Sequence, residues 1–397
     1  MGQGRAGVGG DHPIGKEIIF LLALASANSG IALRAVEPML PRLASEFGAS
    51  VSATAMIISA YAFAYAGSQL LYGPIGDRFG KLRVATLSLM GAAVGSFGCA
   101  LAPDLVTLAA MRLATALFAS TPVILGLAYI GDRVRAEERQ PVIARFIIGT
   151  ISGQALGPAI GGAVTDLAGW RATFALIGVV FALVSVTLLV RTRAQWSEEK
   201  GTSLLGNPLA VHLRLLESPR VRRVVAAGFV ETFIFFGAYS FLGAYLKLRF
   251  DLSLTLIGAL LAGFGIGGIF YGLMVRRLLM QLGQRRLVLA GGAVCFSSYA
   301  LAMLTPAWQV FIACTVSLGF GFYMLHNTLQ TKATEMAPQS RGSALALYSS
   351  GWALGQAAGV AAMGLAVSLA GYRPSIIAFG AGYLLLGLWM RKHLGKL

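Results

Sequence analysis

Between residues 18 and 391 the chain repeats one pattern: a long apolar run, a short hydrophilic break, then another run. A run of about 18 residues or more, wound as a helix, crosses a hydrocarbon core of roughly 30 Å. One such run could be a leader peptide. Here the runs recur to the C-terminal end, and the first leads into further membrane-type sequence, so a cleaved leader is not expected. Backbone in hydrocarbon must satisfy its own hydrogen bonds, which leaves a bundle of helices as the fold. The breaks predict twelve spans, near 18–40, 53–73, 84–102, 106–130, 143–165, 172–190, 224–246, 254–275, 287–305, 308–331, 343–369 and 374–391. The expected class is an all-α membrane protein.

Charge agrees. Only 12% of the 397 residues are charged, about half the share in a soluble domain. The net charge of +16 would suggest nucleic acid in a soluble protein, but its placement excludes that. With the N-terminus in the cytoplasm, 25 of the 32 Lys and Arg fall in inner segments and five, Arg42, Arg171, Lys247, Arg249 and Arg373, in outer ones. The positive-inside rule therefore predicts both termini cytoplasmic in a bacterial inner membrane. The 50 glycines, costly in soluble helices, let membrane helices approach closely. Cys99, Cys295 and Cys314 all lie in apolar runs and read as free thiols, with no disulfide or metal-ligand spacing.

The longest hydrophilic stretch divides the chain into an N-terminal six-helix bundle (1–190), a cytoplasmic linker (191–223) and a C-terminal six-helix bundle (224–397). The basic end of the linker, Arg220, Arg222 and Arg223, either touches anionic lipid or only sets topology. The halves echo one another. Gly73-Pro-Ile-Gly-Asp77-Arg78-Phe-Gly80-Lys81-Leu-Arg83 follows span two; Gly272 to Arg277, then Gly283-Gln-Arg285-Arg286, follows span eight and lacks the acid. In the first copy Gly73 permits close helix packing and Asp77 can accept bonds from a helix N-terminus. Arg78, Lys81 and Arg83 can pair with neighbouring acids, and Gly80 permits the turn between them. Such a cluster suits a latch present in one conformation and broken in another.

The string G-x-x-x-D-R-x-G-K-x-R resembles the signature loop of the major facilitator superfamily at every defining position. In span five, Gly153, Gly157 and Gly161 make one smooth stripe, while Pro158 interrupts the backbone ladder. With Gly162 they resemble the motif G-x-x-x-G-P-x-x-G-G of the antiporter branches; a generic packing face is the plainer reading. Gly169-Trp170-Arg171 with Phe174 is similar to an interfacial turn of the twelve-span drug:proton antiporters, where Trp170 would anchor at the headgroups. Arg112 in span four matches a family arginine, but Thr115 and Ala116 replace the glutamine and glycine that follow it, which puts the details of proton coupling in doubt. The resemblance covers essentially the whole chain and implies two pseudo-symmetric six-helix bundles, the major facilitator fold.

Ionisable groups in hydrocarbon are costly, so each is a functional candidate. Arg34 and Glu37 share a helical face of span one, roughly 10 Å and 6 Å below its outer end, and Arg112 lies roughly 12 Å deep in span four. In the family both spans line a central cavity. Arg34, Glu37 and Arg112 are thus the candidate proton-coupling group, with Glu37 taking and releasing the proton. The alternative is a permanent Arg34–Glu37 pair with Arg112 held on backbone carbonyls. Glu231 in span seven and His326 and Asn327 in span ten, with Tyr239 and Tyr323, are candidate substrate-cavity residues; structural roles remain open for each.

The leading expectation is a secondary active transporter, a proton-coupled antiporter exporting a small organic molecule or drug by alternating access. The alternative is a proton-linked importer or facilitator of a small metabolite. An enzyme is not expected: no metal cluster, cofactor site or nucleophile–base set stands out. Gly263-Phe-Gly265-Ile-Gly267-Gly268 lies in an apolar span with no strand before it, so packing explains it better than a nucleotide. The expected partners are a small-molecule substrate, protons and the lipid bilayer, without nucleic acid, for a monomer.

Overall fold

The computed structural model describes residues 13–196 and 208–397. Arg5, Lys200 and the middle of the linker lie outside them. Fifteen α-helices follow one another among the described residues, without a strand. They are α1 (Pro13–Arg34), α2 (Leu40–Glu46), α3 (Val51–Phe79), α4 (Lys81–Ala100), α5 (Leu105–Ala119), α6 (Thr121–Arg133), α7 (Ala136–Ala168) and α8 (Trp170–Thr192). After the linker come α9 (Pro208–Glu217), α10 (Pro219–Tyr239), α11 (Leu242–Phe250), α12 (Leu254–Leu304), α13 (Val310–Glu335), α14 (Arg341–Ala370) and α15 (Tyr372–His393).

Eleven stretches among the described residues are long and apolar enough to cross a membrane. Twelve were expected. The difference lies in α12, 51 residues in which two helices, matching the expected spans 254–275 and 287–305, meet at a kink and so count as one stretch. Gly283 interrupts it with φ 65°, a left-handed backbone that favours glycine. Gly80, Gly169 and Gly371 adopt positive φ in the same way, each where one long helix hands over to the next.

Three stretches are broken in mid-course. Pro38 has no N–H for the carbonyl of Arg34, nor Pro41 for that of Glu37. There α1 gives way to a 3-10 turn, Glu37–Met39, and then to α2. Pro122 likewise cannot donate to Phe118; the Thr121 hydroxyl caps that carbonyl at 2.7 Å, and α5 passes to α6 across Ser120. Between α10 and α11 the break falls at Ser240 and Phe241. Irregular backbone at membrane depth persists only when buried in protein or lining a cavity. All three breaks are buried.

The ends of these stretches define two faces. One bears Arg78, Arg133, Arg276 and Arg391 and is called the basic face below. The opposite face bears Asp104 and Asp251. Asp104 caps α5, and the Thr107 backbone N–H at 2.8 Å holds its carboxyl below the usual range. Near the opposite face, residues 13–192 and 208–397 are tied together. Asp166 Oδ2 accepts from Thr255 N and Oγ1 at 2.6 and 2.7 Å, and Ser52 Oγ donates to the Gly364 carbonyl at 2.8 Å. Nearer mid-membrane, Ser350 Oγ reaches the Ala66 carbonyl at 2.8 Å. The apolar core follows the same division. Val36, Met39, Leu40, Ile57 and Trp170 join one cluster with the C-terminal helices. Ile18, Leu22, Tyr72, Leu82 and Ile130, toward the basic face, form a separate cluster within residues 18–188.

Candidate functional site

The break in the first stretch presents Glu37 to the middle of the molecule. Its Oε1 pairs with Arg34 Nη1, three residues back, and accepts from Ser240 Oγ at 3.2 Å. Arg34, Glu37 and Ser240 are all buried. The Arg34 guanidinium lies 3.8 Å from the centre of the Phe236 ring and 5.6 Å from that of Tyr239. A buried charge is tolerable only when paired and hydrogen-bonded, and the aromatic face adds a cation–π attraction. The N-terminal helices thus supply the ion pair, and α10 with its break supplies the surface that receives it. Gly243 makes this approach possible: a Cβ there would stand 2.9 Å from the Glu37 carbonyl oxygen. Glu37 Oε2 has no hydrogen-bond partner.

Arg112 takes other partners. Its Nη1 donates to the Ala32 carbonyl at 2.7 Å, and its guanidinium lies 3.9 Å from the Tyr61 ring centre. Nε and Nη2 are buried without partners. The structure therefore joins Arg34 to Glu37, while Arg112 on α5 bonds the Ala32 carbonyl of α1 and keeps two donors in reserve among the described residues.

A second polar centre lies toward the basic face. Glu231 on α10 is buried, and its Oε2 shares a 3.0 Å hydrogen bond with His326 Nδ1 on α13. The imidazole stacks on Phe322 at 4.9 Å and meets the edges of Tyr323 and Trp352. Tyr383 on α15 lies beside the carboxylate. Glycines on α14 let it close on α10. A Cβ at Gly355 would strike the Phe229 carbonyl, and one at Gly359 the Phe233 carbonyl. Along the same helix Tyr348, Trp352 and Gln356 recur every four residues, on one face. The Tyr348 hydroxyl, the Trp352 indole N–H and both polar atoms of Gln356 have no hydrogen-bond partner among the described residues. Between the two centres lies an aromatic layer in which Phe236 touches Phe322 and Trp352, both at 5.4 Å.

The remaining candidates scatter. Tyr239 spends its hydroxyl on the Leu261 carbonyl at 2.5 Å and is buried. Tyr323 packs against Phe264 at 5.7 Å, next to His326. Asn327 is exposed and turned toward Tyr271, away from Glu231. Sequence reasoning did not single out Ser240, Tyr348, Trp352, Gln356 and Tyr383, and noted Phe236 only among the aromatics of span seven. Gln356, an amide inside an apolar helix, was the one visible signal among them.

The two glycine motifs also have definite places. On α7, Gly153, Gly157 and Gly161 bear on Ala27, Ile31 with Arg34, and Ala35 of the first stretch, so a side chain at any of them would collide with it. Gly162 and Pro158 instead meet Leu254 and Gly258 of α12. In the loop before α4, Lys81 pairs with Asp132 at the end of α6 and lies 3.4 Å from Asp77. Arg78 lies over Phe79, and Arg83 faces Trp196 at 6.0 Å. Gly80 makes the expected turn with φ 91°. Asp77 caps no helix N-terminus among the described residues. The close packing expected at Gly73 occurs instead at Gly76, against Leu125, whereas Gly73 faces open space.

Comparison with known proteins places this geometry. The chain is 24% identical over 367 residues to the MFS-type transporter YceJ of Bacillus subtilis, covering 91% of this chain and 92% of that one. It is 27% identical over 384 residues to puromycin resistance protein pur8 of Streptomyces alboniger, covering 81% and 76%. A shorter similarity, 29% over 153 residues, links 38% of this chain to 33% of the riboflavin transporter RibZ of Clostridioides difficile. Among solved structures, a bacterial homologue of the human lysosomal transporter Spinster, inward-facing and unoccupied, superposes with TM-score 0.78 at 16% identity over 98% of both chains. The family profile matches residues 22–339 and 229–394, so with its helices, glycine motifs and signature loop the chain belongs to the Major Facilitator Superfamily and is a multi-pass membrane transporter.

Proposed function

We propose that this transporter is a proton-coupled antiporter that exports a small organic molecule by alternating access, with Glu37 as its proton-carrying group. Twelve spans, counting the two arms of α12 separately, form two six-helix bundles joined by the linker. Both termini lie in the cytoplasm of a bacterial inner membrane, and one chain is the working unit. The observation that carries the reading is the buried Arg34–Glu37 pair sealed against Phe236 and Ser240. Among the described residues it is the point where a charged group of one bundle is bonded at membrane depth to a span of the other. Protonating Glu37 cancels its attraction to Arg34, and moving α10 away removes Ser240; each change favours the other. Arg112, with its two free donors, is the neighbour able to take up the carboxylate as it turns.

The ties at the opposite face and the separate core near the basic face fit an outer gate shut and an inner side parted, as in the inward-facing relative. The loop from Gly73 to Arg83 is the inner latch, here open, with Lys81 held on Asp132 of its own bundle. Substrate binds beside Glu231 and His326, where Tyr348, Trp352 and Gln356 offer unused hydrogen-bonding groups over an aromatic floor. The antiporter glycines and the similarity to a puromycin resistance protein support export. The shorter similarity to a riboflavin transporter is the observation that favours import.

Purified protein in liposomes, with a pH-sensitive dye inside, tests both readings. Puromycin and riboflavin are the first substrates to try. Substrate added to one side should draw protons out of the other compartment, toward the side to which it was added. Glu37→Gln should abolish that proton movement while substrate-for-substrate exchange persists. Proton movement unchanged in Glu37→Gln would remove Glu37 from the mechanism. Accumulation of substrate inside intact cells would establish the importer.

A further inference from the structure

We propose that the basic face carries a binding site for the headgroup of an anionic phospholipid, between the start of the second arm of α12 and the end of α15. A cavity of about 330 Å³ lies there, lined by Arg285, Arg286, Leu388, Arg391 and Lys392. Four of its five lining residues are cations, and none is an acid. All four cations are exposed, and none forms an ion pair with an acid among the described residues.

The corresponding place in the N-terminal half shows what is missing. There a left-handed glycine, Gly80, opens α4, and Lys81 beside it is neutralised by Asp77 and Asp132. Here Gly283 is the left-handed glycine, and two arginines follow with no carboxylate to meet them.

Depth selects a lipid as the source of that anion. Leu385, Leu388 and Trp389 lie on the turns just before Arg391 and Lys392, and all three are exposed on the protein surface. An acyl chain on these residues sets a phosphodiester at the level of the four cations. At the basic end of the linker, where both lipid contact and topology-setting charge were open, two of the arginines have other partners. Arg220 Nε donates to the Leu397 carbonyl and Arg223 Nη1 to the Lys396 carbonyl, each at 2.7 Å.

Native mass spectrometry of the full chain in detergent, titrated with cardiolipin, phosphatidylglycerol, phosphatidylcholine or inorganic pyrophosphate, tests the site. The anionic lipids should bind, and Arg285→Gln with Arg286→Gln should weaken them roughly tenfold or more. Arg276→Gln with Arg277→Gln removes the same charge from the first arm of α12, outside the cavity lining, and should leave binding intact. Equal losses in the two double variants would reduce the effect to general surface charge and overturn the site. So would equal binding of phosphatidylcholine. Pyrophosphate displacing the lipids at similar concentration would make this a free-phosphate site instead.

Discussion

At the residue scale, the two buried carboxylates have different partners. Glu37 pairs with an arginine, Arg34, whereas Glu231 shares a hydrogen bond with the His326 ring. In the proposed function the first handles the proton and the second faces the substrate. Replacing Glu231 by Gln keeps the shape and removes the charge. Hydrogen bonds to charged groups contribute about 1.5–3 kcal/mol, so binding of a cationic substrate should weaken roughly tenfold or more. Equilibrium binding to the purified variant measures it, and unchanged affinity would take Glu231 out of the binding site. Arg34, Glu37, Glu231 and His326 were legible in the sequence because charged and titratable side chains are rare in apolar runs. Ser240, Tyr348 and Trp352 were not. A serine or an aromatic residue is common in membrane helices, and only the approach of α1, α13 and α14 to α10 gives these their neighbours. Arg112 shows the limit in the other direction: its depth was readable, but its choice of the Ala32 carbonyl depends on how spans one and four cross.

At the element scale, α7 is the member whose shape most limits motion. Three of its glycines bear on the first stretch, and Gly162 with Pro158 bears on α12, so it touches both halves along its length. A Val at Gly161 would drive its side chain into the backbone at Ala35, two residues from Glu37. Overpacking of this kind costs about 1–3 kcal/mol, and backbone cannot swing aside as a side chain can. Gly161→Val should therefore lose transport and lower the melting temperature. Gly67→Ala, at an exposed glycine of α3 that faces open space outside the latch, should leave both nearly unchanged. A thermal-shift series alongside liposome transport separates the two; equal behaviour would reduce the stripe to sequence habit. The stripe and Pro158 were readable from spacing alone. The breaks at Ser120 and Ser240 were not placed, since a proline marks where a helix is weakened but not whether a neighbour stabilises the opening. The break between spans eight and nine was readable from its hydrophilic residues, but not its form as a sharp kink at Gly283, because a loop and a kink have the same composition.

At the scale of the whole molecule, the two faces are held by different means. The opposite face is closed by directional bonds: Asp166 to Thr255, Ser52 to Gly364, and the Glu37–Ser240 contact beneath them. Toward the basic face the N-terminal helices keep a core of their own. Alternating access requires the first set to part while the second joins, so a covalent tie at the opposite face should stop the cycle in the state seen here. Cysteines at Asp166 and Thr255, introduced after the buried Cys99, Cys295 and Cys314 are changed to serine, provide that tie. The two residues already share hydrogen bonds of 2.6 and 2.7 Å, within reach of a short bifunctional reagent. Cross-linked protein in liposomes should lose transport by tenfold or more and regain it on reduction. Substrate added from the basic-face side should still bind, because that side needs no movement of the tied ends. Transport that survives the cross-link would mean that these helix ends do not separate during the cycle, and the outer gate would then have to lie elsewhere.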